Sequence, residues 1–496
     1  MHYQALTNPA LLLDSYKLGH AAQYPEGTTL VYSNFTPRSA RWASVDLPTP
    51  FFDQRTVVCG IPAAMQEMAD RWTDGFFKRR WSDIHAEIDN RVKPFVGPNG
   101  FDCDRLKQLH HRQSLPLRVL ALDEGSAVKP GIPVLVLYNT DPDFYWLPNY
   151  LETYLSAQLW KPMTVATIAR VYRRIFDHYA ELSGTPKDFV QWQAHDFSVR
   201  GMSGIEDAAR SGIGHLMYFT GTDNIPAVEF AEKYYDVSDT AIIGGSVPAT
   251  EHSVMMTDGV DQEFETFRRL ITDVYPRGIV SIVSDTWDLW RVLDDYAPRL
   301  RQDILDRKPD DYGMAKVVFR PDSGDPVDII CGTKDEQGAV DRLWDTFGGT
   351  LTDKGYKLLN PRVGLIYGDS ITPARAIAIC TRLMENGYAS GNVVFGIGSY
   401  TYQHITRDTL GFALKSVYAE VNGQSRNLYK EPKTDKSRDK VSAKGRLRVE
   451  IENGDYVLHQ EQPNFLGGEL RTVFNDGKIP SKPNLSAVRS YAAQSL

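Results

Sequence analysis

The feature of this chain that most constrains its fold is a regular alternation of short apolar runs and helical runs over residues 186–404. Each apolar run has the character of a buried strand, ends in a turn that often contains glycine, and is commonly followed by a segment of helical periodicity. This order is typical of parallel β/α units joined by right-handed crossovers. About seven or eight such units in this length predict a closed barrel rather than an open sheet.

The strands of the predicted barrel end in turns that carry polar side chains. In Lys316–Pro326, the apolar run of residues 317–319 is followed by Arg320-Pro321-Asp322-Ser323-Gly324, where proline ends the strand and Asp-Ser-Gly supplies a turn. Functional groups of parallel barrels lie at the carboxyl ends of their strands. The polar residues at these ends are Arg200, Asp223, Ser246, Asp285, Arg320, Asp322 and Asp369.

These side chains suit a phosphorylated sugar. Arg200, Arg320 and Arg407 lie on separate turns and can neutralise a polyphosphate, because guanidinium groups form forked hydrogen bonds with phosphate oxygens. Neighbouring aspartates can hold Mg²⁺ or sugar hydroxyls. The chain has no GxxxxGK[ST] P-loop and no full GxGxxG motif, which argues against a dinucleotide site. The aspartates concerned are Asp285, Asp322 and Asp369.

His252 lies where a helix is predicted to begin. A single histidine in this place has two interpretations. It is a structural or solvated helix residue. Alternatively, beside three arginines, it is a phosphate contact or a nucleophile that itself becomes phosphorylated. The residues alone leave both interpretations open.

Composition restricts the class of protein. The 496 residues are 42% hydrophobic and 24% charged, as in ordinary globular proteins of two or three domains. A net charge of −8 argues against a nucleic-acid partner. The 4 cysteines are scattered without a CxxC pair, which fits a reducing, cytoplasmic location. We expect neither a signal peptide nor a membrane span, since no apolar run reaches about 18 residues.

The remaining periodicities predict a second domain. Residues 115–137 alternate as short antiparallel strands, residues 61–95 and 146–174 have helical periodicity, and strands recur after residue 405. We therefore predict an α/β fold, with an irregular β/α barrel at residues 186–404 and a β-rich α+β domain built from residues 1–185 and 405–496. Residues 215–219 and 241–243 are predicted as barrel strands, and the tail after residue 456 as strand, loop and polar end.

Short polar motifs occur in a fixed order along nearly the whole chain, and each motif alone is a weak indication of a family. They are Asp14-Ser15-Tyr16-Lys17, Asn139-Thr140-Asp141-Pro142, His195-Asp196-Phe197, Arg200-Gly201, Gly221-Thr222-Asp223, Ser246-Val247-Pro248-Ala249, Glu251-His252-Ser253, Ser284-Asp285, Arg320-Pro321-Asp322-Ser323-Gly324, Gly355-Tyr356-Lys357-Leu358-Leu359, Gly368-Asp369, Thr406-Arg407-Asp408 and Lys444-Gly445-Arg446. Through their order the chain resembles the nicotinamide phosphoribosyltransferases of the type II phosphoribosyltransferase family. The resemblance implies a barrel of that type.

The resemblance implies nicotinamide and phosphoribosyl pyrophosphate as substrates, and nicotinamide mononucleotide and diphosphate as products, in NAD biosynthesis. It places the pyridine ring between Phe197 and Tyr16, with Tyr16 supplied by the other subunit of a homodimer. Asp223 would accept a hydrogen bond from the carboxamide NH₂, and Ser281 would lie near the carboxamide oxygen.

The resemblance also implies residues for the phosphorylated substrate. They are Arg200, His252 and Arg320 for the diphosphate; Asp322, Gly368 and Asp369 for the ribose; Ser399 and Arg407 for the 5′-phosphate; and Lys415, Lys430 and Lys440 for phosphates near the entrance, including those of ATP.

Two cofactors follow from the same resemblance. Mg²⁺ would bind mainly through substrate phosphates, with Asp285 and Asp322 as candidate protein ligands. ATP would stimulate turnover by phosphorylating His252. The groups expected at the reacting centre are His252, Arg320 and Asp322.

The chain departs from the family pattern in three places. The family's Gly-Ser-Gly-Gly-Gly turn reads Gly396-Ile397-Gly398-Ser399-Tyr400, so two of its glycines carry side chains. The basic loop at residues 430–444 differs in spacing, and Thr286 replaces a serine.

Three alternatives remain. A nicotinate-using relative is disfavoured by Asp223, since a carboxylate repels a carboxylate substrate. A non-catalytic binding protein is disfavoured because the charged strand ends are intact. A phosphate-ester hydrolase would need a metal cluster, and these turns contain no HxH motif.

Overall fold

The computed structural model describes residues 8–97, 101, 103–368, 371–430 and 442–496. In chain order the strands are β1 (Thr28–Pro37), β2 (Thr56–Val57), β3 (Leu117–Ala121), β4 (Ala127–Val128), β5 (Leu135–Asn139), β6 (Ala194–Asp196), β7 (Gly278–Val283), β8 (Ala315–Arg320), β9 (Gly349–Leu351), β10 (Lys357–Leu359), β11 (Val363–Tyr367), β12 (Val393–Ile397), β13 (Phe412–Val421), β14 (Gln424–Asn427), β15 (Arg448–Glu452), β16 (Asp455–His459) and β17 (Arg471–Asn475).

Helices separate most of these strands. The longer α-helices are Ile61–Trp72, Trp81–Val96, Cys103–Arg112, Glu152–Ser183, Ile205–Leu216, Ile225–Tyr234, Glu263–Arg269, Ala339–Phe347, Pro373–Glu385 and Leu485–Ala493. The shorter α-helices include His20–Gln23, Ala43–Asp46, Leu147–Tyr150, Val190–Gln193, His252–Met256, Arg301–Leu305, Pro326–Cys331 and Ser399–Gln403. The 3₁₀ helices include Ser15–Gly19, Val199–Gly201 and Arg407–Thr409. Within the described ranges, no helix combines the length and the apolar character needed to cross a membrane.

A parallel sheet forms most of the barrel wall. Its 5 strands run in the order β6-β12-β11-β8-β7, and every neighbouring pair is parallel. Two further segments close the ring, because Asp196 N–H donates to the Gly221 carbonyl (3.1 Å), Thr222 N–H donates to Gly245 (2.9 Å), and Ser281 N–H donates to Pro248 (2.9 Å). The predicted irregular β/α barrel is confirmed.

The second sheet is antiparallel and draws its strands from both ends of the chain. Its order is β14-β13-β1-β5-β3-β17. The helix Glu152–Ser183 lies between this sheet and the barrel: it contacts β13 of the sheet, and its Tyr172 Oη donates to the carbonyl of Ile371, which follows β11 (2.6 Å). This helix is apolar on most faces because it has protein on most sides. The fold therefore has the predicted β-rich region; the domain boundaries stay a prediction.

Two predicted barrel strands are wrong. Residues 215–219 begin as the end of the helix Ile205–Leu216, whose small and apolar residues pack on the helix Glu152–Ser183. A short apolar run at a buried helix end has no periodicity that separates it from a strand. Residues 241–243 form a bend, and pairing with the neighbouring segment occurs at Gly245.

The tail prediction is also incomplete. The helix Leu485–Ala493 follows β17 and begins at Asn484, whose side chain accepts the N–H of Ala487 (2.8 Å). Leu485, Val488 and Ala492 form its buried face.

Candidate active site

The turn after β8 is held in place by a carboxylate from the neighbouring strand end. Asp285 Oδ2 accepts the backbone N–H groups of Asp322 and Ser323, each at 2.8 Å. Ser284 Oγ accepts the N–H of Arg320 at 3.2 Å, and the Arg320 guanidinium donates to the Thr250 carbonyl. Burial lowers the pKa of Arg320, while Asp322 opposes that shift. The turn therefore presents Arg320 in a fixed direction.

An imidazole and two carboxylates form a cluster above this turn. His252 Nε2 lies 3.4 Å from Asp285 Oδ1 and 3.7 Å from Asp322 Oδ1. Asp285 Oδ1 is buried without a hydrogen-bond partner among the described residues. Burial and the negative charge of Asp285 raise the pKa of Asp322, outweighing the attraction of His252 and Arg320. Two close carboxylates of this kind suit an added cation, and oxygen donors fit Mg²⁺.

A second cluster at the strand ends offers an aromatic face beside a carboxylate. Phe197 follows β6, and its ring lies 4.6 Å from that of His195. A Cβ on Gly396 would lie 2.8 Å from Phe197 Cδ2, so only glycine lets the ring rest on β12. Asp223 Oδ1 accepts from His195 Nε2 (2.9 Å) and from Ser246 Oγ. Burial raises the pKa of Asp223, but the hydrogen bond and charge of His195 dominate and lower it.

The role of His195 was missed from the sequence. His195 and Phe197 are two residues apart at the end of β6, so their side chains share one face. That spacing is the signal that would have placed His195 beside Asp223. Ser246 was recognised as a strand-end residue, but not as a partner of Asp223.

The turn after β12 lies beside Arg200. Ser399 opens the helix Ser399–Gln403, and a Cβ on Gly201 would lie 2.1 Å from Ser399 Oγ. The Arg200-Gly201 turn therefore packs directly on Ser399, with Arg200 exposed. Arg407 begins the 3₁₀ helix Arg407–Thr409, is 54% exposed and pairs with Asp408 at 3.2 Å.

Other predicted residues occupy the barrel wall. Ser281 lies on β7, and its buried Oγ has no hydrogen-bond partner within the described part of the chain. Gly368 follows β11 and packs beside Asp322: a Cβ there would lie 3.3 Å from Asp322 Cβ. Asp369 and Lys440 lie outside the described residues.

Tyr16 has no ring contact with Phe197 within the described residues of this chain. Its ring is 62% exposed and contacts His20 and Lys17. Lys17 pairs with Glu152 at 2.7 Å, and Lys415 Nζ lies 3.5 Å from the same carboxylate. One chain alone does not form the predicted ring sandwich with Tyr16. Lys430 is exposed, and its N–H donates to Ser442 Oγ at 2.9 Å.

The fold is shared with two solved structures. Nicotinate-nucleotide pyrophosphorylase from Pyrococcus furiosus matches with a TM-score of 0.54 at 16% identity, covering 99% of this chain and 94% of that one. Human nicotinic acid phosphoribosyltransferase matches with a TM-score of 0.54 at 16% identity, covering 98% of this chain and 93% of that one. These likenesses establish the fold of the chain.

Sequence comparison gives the family. Residues 192–478 match the nicotinate phosphoribosyltransferase (NAPRTase) family, and the chain belongs to that family. It is therefore a phosphoribosyltransferase, a kind of glycosyltransferase. A protein named nicotinamide phosphoribosyltransferase from Acinetobacter baylyi is 50% identical over 99% of this chain and 98% of its own length. One of the same name from Xanthomonas campestris pv. campestris is 34% identical over 99% of both.

Proposed function

We propose that this protein is a nicotinamide phosphoribosyltransferase. It condenses nicotinamide with phosphoribosyl pyrophosphate to nicotinamide mononucleotide and diphosphate, a step of NAD biosynthesis. The observation that carries the proposal is the carboxylate of Asp223 bonded to His195, whose ring lies 4.6 Å from the ring of Phe197. The names of the relatives in Acinetobacter and Xanthomonas agree with it.

Asp223 favours an amide substrate over an acid. Both of its hydrogen bonds fall on Oδ1, and Oδ2 has no partner within the described ranges, so it can accept from a carboxamide NH₂. The lowered pKa keeps Asp223 ionised at neutral pH. The carboxylate of nicotinate would meet a like charge here, which makes the binding of nicotinate less favourable. Phe197 provides a face for a flat, uncharged pyridine ring.

The arginines serve the leaving group. Displacement of diphosphate from C1 of the ribose develops positive charge on the sugar and negative charge on the leaving oxygens. Arg200 and Arg320, with His252, would bind the diphosphate and stabilise that negative charge. Arg320 is held for this by the Thr250 carbonyl and by Ser284. Asp322 and Gly368 would contact the ribose, with Asp369, and Ser399 and Arg407 would contact the 5′-phosphate.

Mg²⁺ fits the carboxylates of Asp285 and Asp322. The buried Asp285 Oδ1 without a hydrogen bond and the raised pKa of Asp322 are the features that an added divalent cation would relieve. When bound, Mg²⁺ neutralises diphosphate charge. The imidazole of His252 is a poorer ligand for this hard ion, which leaves it for a phosphate.

His252 is proposed as the site of phosphorylation by ATP. Its side chain is 39% exposed at the start of the helix His252–Met256. A ring nitrogen would attack the γ-phosphorus, the bond to the ADP oxygen would break, and water would later release phosphate. Lys415, Lys430 and Lys440 would bind phosphates at the entrance.

We also propose a cytoplasmic homodimer in which Tyr16 completes the site of the other subunit. The ring of Tyr16 is exposed and contacts His20 rather than Phe197 within one chain, which supports this arrangement. Cys59, Cys331 and Cys380 are buried thiols that are not joined in disulfides, as suits a reducing compartment.

The test is an assay of mononucleotide formation from phosphoribosyl pyrophosphate and Mg²⁺ with either nicotinamide or nicotinic acid, with and without ATP. Product from nicotinamide, increased by ATP in the wild type but not in His252→Ala, is the expected result. Product from nicotinic acid alone would overturn the role of Asp223. Product from neither would overturn the proposed function.

A further inference from the structure

Beneath the site lies a buried pair of side chains that the proposed function does not use, His215 and Tyr402. His215 lies in the last turn of the helix Ile205–Leu216, and Tyr402 lies in Ser399–Gln403. Neither side chain is exposed to solvent. His215 Nδ1 lies 2.8 Å from Tyr402 Oη, and Nε2 lies 2.9 Å from the carbonyl oxygen of Gly221. Both ring nitrogens are therefore satisfied by specific partners.

The two contacts fix the direction of both hydrogen bonds. A carbonyl oxygen only accepts, so Nε2 of His215 carries the proton. Burial lowers the pKa of His215 and raises that of Tyr402, which keeps both groups neutral. Nδ1 is then an acceptor, and the Tyr402 hydroxyl donates to it. The hydrogen bonds run from Tyr402 through His215 to Gly221, and the other tautomer would leave the Gly221 carbonyl without its donor.

One end of this chain of bonds reaches the base-binding part of the site. The Gly221 carbonyl also accepts the N–H of Asp196 at 3.1 Å, and the N–H of Asp223 donates back to Asp196 at 3.0 Å. Residues 221–223 are joined to the barrel by such single bridges, not by a long ladder. The contact from His215 therefore restrains the segment that carries the Asp223 carboxylate.

The other end reaches the phosphate-binding part. Tyr402 lies three residues after Ser399, in the same short helix. Gln403 accepts from Lys161 Nζ and donates to Ser203 Oγ, so the helix is also tied to residues just beyond Arg200-Gly201. Ser399 packs on Gly201 without space for a Cβ. Movement of Tyr402 would therefore displace the Ser399 turn.

We propose that His215 and Tyr402 are a positioning pair that sets the distance between the base-binding end at Asp223 and the phosphate-binding end at Ser399. This inference rests on the proposed function, because its ligand, nicotinamide mononucleotide, is the product of the proposed reaction. Nicotinamide mononucleotide carries both the carboxamide and the 5′-phosphate, so it is bound at both ends only when that distance is correct. The pair acts through Gly221 and the Ser399 helix.

The test compares two tyrosine variants that each lose one buried hydroxyl. In Tyr402→Phe the donor to His215 is lost. In Tyr179→Phe, the control, the lost hydroxyl is the one that bonds Thr381 Oγ1 at 2.7 Å, between the helices Glu152–Ser183 and Pro373–Glu385. We expect affinity for nicotinamide mononucleotide, measured by titration calorimetry, to fall about fivefold to tenfold in Tyr402→Phe and to stay unchanged in Tyr179→Phe. In turnover, KM for both substrates should rise while kcat changes less than about twofold.

A second pair of variants covers the case in which Tyr402→Phe does not fold. His215→Gln keeps an amide donor for the Gly221 carbonyl, whereas His215→Phe keeps none. We expect His215→Gln to recover part of the affinity that His215→Phe loses. Equal mononucleotide affinity in the wild type and in whichever of these variants fold would overturn the positioning role. A wild type that neither binds nor makes the mononucleotide would show instead that the proposed function has failed.

Discussion

The carboxylate of Asp285 holds the backbone of Asp322: its Oδ2 accepts the Asp322 N–H at 2.8 Å, while its Oδ1 faces the Asp322 carboxylate and His252. The two oxygens of one side chain thus have different surroundings. Oδ2 fixes the turn after β8, and Oδ1 lies where we propose that a divalent cation binds.

Asp285→Asn should separate these two roles. The amide oxygen can still accept from the turn, whereas the NH₂ group replaces the oxygen that faces the cation position. We expect unfolding temperature to change little and kcat/KM to fall about 100-fold, with a higher Mg²⁺ concentration for half-maximal rate. Asp285→Ala is the matched control and should also lower the unfolding temperature, because it frees two N–H groups. An unchanged Mg²⁺ dependence in Asp285→Asn would contradict the assignment.

Asp223→Asn should change the preference between the two pyridine substrates. The substitution removes the charge that repels nicotinate and replaces one acceptor with a donor. We expect the ratio of kcat/KM for nicotinamide to that for nicotinate to fall about tenfold to 100-fold. Ser246→Ala is the control, since it removes only a donor to Asp223 and leaves the charge. If Asp223→Asn keeps the same ratio of kcat/KM values as the wild type and Ser246→Ala, the role assigned to Asp223 is wrong.

Asp322 should make the folded protein less stable as the pH rises. Its pKa is raised on folding, so the folded state binds a proton more tightly than the unfolded state. Its contribution to stability is therefore complete below the usual carboxyl range and is lost as the pH rises through the raised pKa. We expect Asp322→Asn to have a higher unfolding temperature than the wild type at pH 7, and an advantage that vanishes toward pH 4.

The control for this measurement is Asp325→Asn in the same turn. Asp325 caps the helix Pro326–Cys331 by accepting the N–H of Val327 at 2.9 Å, so its substitution should not raise the unfolding temperature. Added Mg²⁺ should reduce the advantage of Asp322→Asn, because a bound cation stabilises the wild-type carboxylates. An unfolding temperature of Asp322→Asn below that of the wild type at pH 7 would contradict the prediction.

Gly396→Ala should impair binding of the pyridine ring. The new methyl group would lie 2.8 Å from both Phe197 Cδ2 and the Tyr367 carbonyl oxygen, so the Phe197 ring must move. We expect KM for nicotinamide to rise about tenfold, with a smaller change in KM for phosphoribosyl pyrophosphate. Gly398→Ala is the control, because a Cβ there meets nothing within 4 Å. Equal KM values in the two variants would show that Phe197 does not support the ring.

The barrel was predictable because its strand ends have a strong local signature. A turn such as Arg320-Pro321-Asp322-Ser323-Gly324 after an apolar run carries both its structure and its chemistry within a few residues. His215 shows the opposite case, since the apolar residues at a helix end look like a strand until the helix packed against them is known. Local pattern thus predicted the barrel as a whole more reliably than it predicted each element of the barrel wall.

Distances within the site were beyond sequence reasoning. Asp285 and Asp322 are 37 residues apart, and their hydrogen bond depends on the register of β7 with β8. The partnership of His195 with Asp223 likewise needs the parallel bridge between Asp196 and Thr222. Such contacts are set by how strands pair, which a single sequence does not specify.

The unequal closure of the barrel separates two of the contacts that we propose for the substrates. Asp285 and Arg320 adjoin strands in continuous hydrogen-bonded ladders, whereas Asp223 and Ser246 lie on the arc joined by isolated bridges. A change on that arc disturbs few backbone hydrogen bonds. Redesign of the proposed contacts to the carboxamide can therefore be confined to residues 221–246, while the strands that carry the proposed diphosphate contacts keep their ladders.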